Sequence, residues 1–270
     1  MFRFIYAFFA FLVSSVSLSL HAKDPSTVQS DAPQPFEIGI SMSIPPWVIK
    51  ETDSGIELDI LRASLDPERY DIRPVYVPFE RAYKLFDDAQ LDAVMNAKAN
   101  VVKSGYLSQA VVTFQNYAIS LASKNYPEDI SMSFLQDKTV VGFQKAKDFL
   151  GKEYAVMART NRHYQEVPKQ DFQINLLFIR ELDFIVMDKS IFGYYWYKAN
   201  QGDRYSRLAK QRFSQKVRFH PLFKPSHYPF LFRDKLVRDD FDRGLSEIKS
   251  SGRYQEILDK YDHLSNLYQH

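Results

Sequence analysis

The sequence predicts an α/β protein with two lobes, each a mainly parallel sheet flanked by helices, and two hinge crossings between the lobes. Apolar segments of strand character alternate with segments of helical periodicity in two successive series. Such alternation is typical of parallel sheets covered by helices. The chain has 270 residues, which is long for a single hydrophobic core and sufficient for two.

The first series is expected to form most of the first lobe. Its strands are predicted at 36–41, 71–78 and 91–96, and its helices at 57–65 and 81–88. Pro74 interrupts the second of these strands, so we expect that strand near a sheet edge. Residues 111–121 then lead out of the first lobe.

The second series is expected to form the second lobe, and the tail is expected to return to the first. Strands are predicted at 138–143, 164–168 and 182–188, helices at 146–154 and 173–181, and the return crossing at 217–222. In the tail, Phe241, Leu245 and Ile248 recur at helical spacing, and Gly252 ends that helix. The predicted boundaries are 36–122 for the first lobe, 123–218 for the second, and 219–270 for the return strand and the C-terminal helices of the first lobe.

The N-terminal segment has the pattern of a secretory signal peptide at 1–22. Arg3 precedes an uncharged, largely apolar run at 4–20, and Leu-His-Ala stands before Lys23. This order of charge, apolar run and small residue predicts cleavage before Lys23 and a periplasmic location. The alternative is a membrane anchor, but the run is at the lower limit for spanning a bilayer and is rich in serine. Residues 23–35 are polar and contain prolines, so they are interpreted as a disordered linker.

Composition excludes several classes of function. The chain has no cysteine, which removes disulfides, thiolate catalysis and cysteine metal sites. Its formal net charge of +2 gives no reason to expect nucleic acid or an anionic membrane as partner. The six histidines are scattered, and neither His-Glu-x-x-His nor Gly-x-Ser-x-Gly occurs. We therefore expect no catalytic residue, no metal and no cofactor.

Short motifs spread along the chain resemble those of one protein family. They are Pro46-Trp47, Gly55-x-Glu57-x-Asp59, Leu91-Asp92-Ala93-Val94, Val141-Gly142, Leu182-Asp183 with Asp188, Phe241-x-x-x-Leu245, Gly252-x-Tyr254 and Ile257-x-x-x-Tyr261. In this order they are similar to family-3 periplasmic solute-binding proteins, the receptors of polar amino-acid ABC transporters. The resemblance implies a periplasmic-binding-protein-like fold with a ligand cleft between the lobes.

The loop that binds the ligand's carboxylate in that family departs from the family pattern. Members carry Thr-x-x-Arg after the Asp-Ala strand, whereas 96–103 contains Lys98 and Lys103 and no arginine. Lysine is a point charge and cannot reproduce the two parallel hydrogen bonds of a guanidinium group. Arg81, one turn into its predicted helix, is the candidate replacement. A zwitterionic or cationic small molecule is therefore expected as the ligand.

Three candidate ligand-binding residues lie in the first lobe, besides Arg81. Trp47 could stack on the ligand or cap the core. Glu57 could contact the ligand or serve only as a favourable charge at a helix N-terminus. Asn96 begins the altered loop.

Two more candidates lie in the second lobe. Gln144 opens a helix whose free N–H groups could bind an anionic group. Asp188 ends a buried strand and needs a partner, for which a cationic ligand group, a lysine and a helix N-terminus are alternatives.

The leading interpretation is a monomeric binding protein that captures a small polar, amino-acid-like molecule for an inner-membrane ABC permease. One alternative is a periplasmic sensor subunit that reports ligand occupancy to a signalling protein. The other is a secreted dehydratase-type enzyme on the same scaffold, with Glu57 or Glu166 as the acid or base.

Overall fold

The computed structural model describes residues 32–40, 44–97, 102–201 and 206–263. The predicted signal peptide, most of the predicted linker and Lys98 lie outside these residues. All elements named below belong to one compact unit, 33–270. Within the described ranges, no helix combines the length and apolarity that a bilayer span requires.

The first lobe is built on a five-stranded sheet. Its strands are β1 (Gln34–Ile40), β2 (Tyr70–Tyr76), β3 (Ala93–Val94), β4 (Tyr106–Phe114) and β10 (Ser226–Phe232), in the order β2-β1-β3-β10-β4. β1 pairs in parallel with β2 and β3, whereas β10 is antiparallel to β3 and β4. The helices α1 (Ile56–Ser64) and α2 (Phe79–Asp87) connect the parallel strands. β1 begins two residues inside the predicted linker.

The second lobe repeats this arrangement. Its strands are β5 (Asn116–Leu121), β6 (Val140–Phe143), β7 (Tyr164–Val167), β8 (Phe184–Asp188) and β9 (Val217–His220), in the order β7-β6-β8-β5-β9. Its helices are α3 (Ala146–Phe149), α4 (Lys152–Thr160), α5 (Asp171–Ile179), α6 (Lys189–Gln201) and α7 (Arg207–Phe213). The single helix predicted at 146–154 is wrong, because Gly151 at φ 93° separates α3 from α4.

The two-lobed α/β architecture with two crossings is confirmed, and the sheet of each lobe is mixed, with most of its strands running in one direction. In each sheet four of the five strands run in the same direction, and one strand, β10 in the first lobe and β5 in the second, runs antiparallel to them. One crossing joins β4 to β5 through Gln115, and the other joins β9 to β10. Nε2 of Gln115 donates to the carbonyl oxygen of Phe223 at 2.9 Å, so the two crossings are tied together.

The chain ends with α8 (Lys235–Ser250) and α9 (Arg253–Lys260), which lie against α1. Gly244 permits the close approach, since a Cβ atom there would lie 2.0 Å from the carbonyl oxygen of Ser64. After α9, the hydroxyl group of Tyr261 donates to Oδ2 of Asp59 at 2.9 Å, and Lys260 pairs with the same carboxylate at 2.7 Å. These contacts hold the tail on the first lobe.

Candidate functional site

Trp47 contacts the second lobe directly. It follows β1 in the first lobe and is buried. Its indole N–H donates to Oδ1 of Asp188, at the end of β8, at 3.2 Å. A residue beyond the carboxyl end of a first-lobe strand therefore meets the carboxyl end of a second-lobe strand, where α/β sheets usually place their ligands.

Asp188 is a buried carboxylate held by four N–H donors. Besides Trp47, the backbone N–H groups of Gln115, Ser190 and Ile191 donate to it at 2.8, 2.9 and 3.2 Å. Burial raises the pKa of Asp188 to about 6, and the hydrogen bonds oppose the rise. Of the three partners considered for this residue, the structure shows a helix N-terminus, that of α6.

Glu57 lies in the first turn of α1 and is completely buried. Nδ2 of Asn96 donates to its two oxygens at 3.1 and 2.9 Å. Burial raises the pKa of Glu57 to about 7, while the hydrogen bond from Asn96 lowers it. A carboxyl group with a pKa near neutrality can exchange a proton under physiological conditions.

The Gly55-x-Glu57 motif fixes the start of α1 on the backbone of Trp47. Gly55 has φ 124°, and a Cβ atom there would lie 2.5 Å from the carbonyl oxygen of Trp47. The backbone N–H of Glu57 donates to that oxygen at 2.9 Å. Glycine is therefore required for both the backbone conformation and the space.

Asn96 follows β3 and has a left-handed backbone with φ 53°. Its Oδ1 is buried and has no donor among the residues that the structure describes. Because β1 and β3 are neighbours in the sheet, Glu57 and Asn96 meet beyond the carboxyl ends of adjacent parallel strands.

A row of aromatic side chains begins at Trp47, the residue that donates to Asp188. The ring centroids of Trp47 and Phe114 are 4.6 Å apart, and those of Phe114 and Tyr228 are 5.1 Å apart. Tyr228 also interacts electrostatically with Glu57. The sequence analysis missed Phe114 and Tyr228. The only sequence feature that could have indicated them is their position on strands next to a crossing, β4 and β10.

The other predicted site residues lie on exposed positions. Arg81 is in the first turn of α2, and Gln144 directly follows β6. Lys103 lines a groove of about 430 Å³ along α2. The structure does not bring these three into hydrogen-bond contact with Trp47, Glu57 or Asp188 within the described ranges.

Glu166 already occupies the helix N-terminus at which Gln144 was expected to bind an anion. It accepts hydrogen bonds from the backbone N–H groups of Lys145 and Lys147 at 2.8 and 3.1 Å and from the hydroxyl group of Tyr164 at 2.8 Å. Burial alone would raise the pKa of Glu166, but these hydrogen bonds together lower it. An anionic Glu166 therefore stabilises the start of α3.

His220 pairs with Ser120 but has no carboxylate on its other ring nitrogen among the described residues. Both it and Ser120 are buried, with Nε2 of His220 at 3.0 Å from Oγ of Ser120. Its Nδ1 lies 3.1 Å from the carbonyl oxygen of Glu128, a backbone group and not a carboxylate. Across the described parts of the chain, no three His, Asp or Glu side chains converge as a metal site.

No protein-family model matches the chain, and no curated protein matches it. Solved structures do match. The GluR0 ligand-binding core in complex with L-glutamate has a TM-score of 0.62 at 14% identity and covers 84% of this chain and 98% of its own. The second substrate-binding domain of a putative amino acid ABC transporter from Streptococcus pneumoniae has a TM-score of 0.59 at 19% identity, covering 84% and 99%.

A third match is a histidine kinase sensor domain with similarity to periplasmic binding proteins, with a TM-score of 0.60 at 13% identity, covering 86% and 97% of the two chains. Each of the three structures aligns with this chain over nearly the whole of its own length. At such low identities the likeness concerns the fold. The chain therefore has the two-lobed fold of periplasmic binding proteins.

Proposed function

We propose that this chain is a periplasmic solute-binding protein that holds a small polar, amino-acid-like molecule between its lobes for an inner-membrane ABC permease. The supporting observation is the meeting of Trp47 and Asp188 at 3.2 Å between the lobes. Buried polar groups from the carboxyl ends of both sheets converge there. Ligands of open α/β sheets bind at this kind of position.

The two crossings supply the hinge that such a function needs. Only Gln115 separates β4 from β5, and its side chain also holds the second crossing. A rotation at this point opens or closes the lobes without changing either sheet. The hydrogen bond from Trp47 to Asp188 contributes about 1.5–3 kcal/mol, as is usual for a charged acceptor. A ligand that adds contacts to both lobes beside this hydrogen bond favours the closed form and so shifts the balance between open and closed forms.

Trp47, Glu57, Asn96 and Asp188 are the proposed ligand contacts. Trp47 supplies an aromatic surface, and Asp188 supplies the contact from the second lobe. Arg81 lies on an exposed helix turn, and its role as a carboxylate clamp stays a prediction. The role of Gln144 as an anion contact also stays a prediction, because Glu166 already accepts the N–H groups at that helix start.

A thermal-shift screen against amino acids, small peptides, polyamines and organic acids tests the proposed function. A ligand that binds only the folded state stabilises it by about 2.7 kcal/mol at a hundredfold excess over Kd. For a chain of this size we expect a rise in Tm of about 5–10 °C. The rise should grow with ligand concentration and shrink in Trp47→Ala. If no compound class raises Tm, the proposed function is wrong.

The partner is tested separately. Cells that lack the gene should lose uptake of the radiolabelled ligand if the protein serves a permease. Unchanged uptake with a lost transcriptional or motility response would instead support the sensor role. The sensor role is an alternative because a histidine kinase sensor domain has a similar fold.

A second candidate function is dehydratase-type catalysis with Glu57 as the acid. The observation in its favour is the pKa of about 7, which suits proton transfer near neutral pH. Incubating the protein with its ligand and analysing the mixture by mass spectrometry tests it. A ligand in large molar excess that is unchanged after prolonged incubation would exclude catalysis. Loss of water from the ligand would support it.

A further inference from the structure

Among the residues that the structure describes, Glu57 has fewer hydrogen-bond donors than a buried carboxylate normally requires. Within the described ranges, both of its oxygens accept from the same donor, Nδ2 of Asn96. Among the described residues, no lysine, arginine or histidine forms an ion pair with it, and the side chain is completely buried. Buried charges are usually paired, because an isolated one is costly. Glu57 can therefore accept a further donor, most favourably a cationic one.

A second acceptor lies beside it. Oδ1 of Asn96 is buried and has no donor within the described ranges, and it belongs to the same amide group that contacts Glu57. A carboxylate and an amide oxygen that lie together attract N–H donors with positive charge. An ammonium or guanidinium group supplies both the charge and more than one N–H.

The surroundings also favour an organic cation. The rings of Trp47, Phe114 and Tyr228 form a continuous row. Burial and, after it, the negative charge of Glu57 raise the pKa of Tyr228. Aromatic faces attract cations through the quadrupole of the ring. At the other end of the row, the donors recorded for Asp188 are neutral N–H groups.

The described residues offer little to a ligand carboxylate. Residues 96–103 contain no arginine. The ammonium group of Lys189, next to Asp188 in the chain, lies over the ring of Phe219 at 5.6 Å. A ligand carboxylate near Asp188 would meet a like charge, and ionised Glu57 would add a second, so a carboxylate is disfavoured there.

We propose that the ligand is a small organic cation with an amine or guanidine group and no carboxylate, whose cationic group binds Glu57 and Oδ1 of Asn96. Its apolar part lies against the row of aromatic rings. This inference rests on the proposed function and narrows its ligand class from amino-acid-like molecules to their carboxylate-free amines.

Matched pairs of compounds test the inference directly on the unmodified protein. Agmatine and arginine, histamine and histidine, and tyramine and tyrosine differ within each pair only by the carboxylate. Isothermal titration should find at least one amine that binds at least about tenfold more tightly than its parent amino acid, since one lost or unfavourable charged contact is worth about one decade or more.

Two variants locate the cationic group. Glu57→Gln keeps the size of the side chain and should weaken binding of the preferred amine by at least about tenfold. Glu153→Gln, the same exchange at an exposed position of α4, should leave the affinity unchanged.

The outcomes separate the two proposals. Amino acids that bind as tightly as their amines, or more tightly, would overturn the inference while leaving the proposed function in place. An amine-selective protein whose Glu57→Gln variant keeps full affinity would overturn the assignment to Glu57. A complete absence of binding by both series and by the wider screen would overturn the proposed function itself.

Discussion

Replacing Glu57 by glutamine should make the protein more stable, and the gain should grow with pH. The pKa of this buried carboxyl group is raised from an ordinary 4.5 to about 7. Between these values the folded protein holds a proton that the unfolded chain has released. The stability of the native protein therefore falls as pH rises through this window. Glutamine has no proton to lose and escapes the penalty.

The size of the effect follows from the two pKa values. One pKa unit corresponds to about 1.36 kcal/mol, so ionised Glu57 costs the folded state about 3 kcal/mol above pH 7. The neighbouring Tyr228 and Tyr254 have pKa values raised by burial and stay neutral throughout. The difference in unfolding free energy between Glu57→Gln and the native protein should therefore grow by about 2–3 kcal/mol from pH 5 to pH 8.

Urea unfolding at pH 5 and pH 8, followed by tryptophan fluorescence, measures this difference. Glu166→Gln is the matched control, because the pKa of Glu166 is lowered by its hydrogen bonds despite partial burial. Stability from such a group is present above its unfolded pKa and is lost as pH falls, so this variant should be destabilised to a similar extent at both pH values. A Glu57→Gln variant that is less stable than the native protein at pH 8 would refute the reasoning.

Three further predictions concern export, closure and packing. Mass spectrometry of a periplasmic extract should find a mature N-terminus at Lys23, and full-length protein held in the inner membrane would contradict this. Trp47→Phe keeps a ring but removes the N–H that donates to Asp188. Isothermal titration should show that ligand affinity falls by about tenfold. An unchanged affinity would count against closure of the lobes through this contact. Gly244→Ala would place a Cβ atom 2.0 Å from the carbonyl oxygen of Ser64. Thermal unfolding should therefore show that the variant loses about 3 kcal/mol or more of folding stability. An unchanged stability would contradict the tight packing of α1 on α8.

The fold was predictable from local pattern, with errors at specific points. Strand and helix periodicity predicted the parallel strands of both lobes and the helices α1, α2, α5 and α8, because residue spacing reports which face of an element is buried. It predicted no helix at α6 or α7 and no strand at β10. The helix predicted at 146–154 failed at Gly151, whose positive φ interrupts an otherwise continuous pattern. The one reversed strand in each sheet, β10 in the first lobe and β5 in the second, could not be assigned from local pattern, because its pairing depends on distant segments.

The candidate site was predictable only in part. Trp47, Glu57 and Asp188 were selected from motifs that resemble those of solute-binding proteins, and Asn96 was selected as the start of the altered loop. In the structure Trp47 contacts Asp188, and Asn96 contacts Glu57. Their partners could not be read from the sequence. Asp188 and Trp47 are 141 positions apart in the chain, and no local pattern reports a contact over that separation.

By itself the sequence determined the alternation of strands and helices, the two-lobed class, the absence of thiol chemistry and the missing arginine in the loop at 96–103. Each of these depends on residue identity or short-range spacing. Only the tertiary structure decided that Glu57 is completely buried against Asn96 and that Glu166 occupies the start of α3. Burial and hydrogen-bond partners set the pKa of a carboxyl group, and both arise from segments that folding brings together from distant parts of the chain.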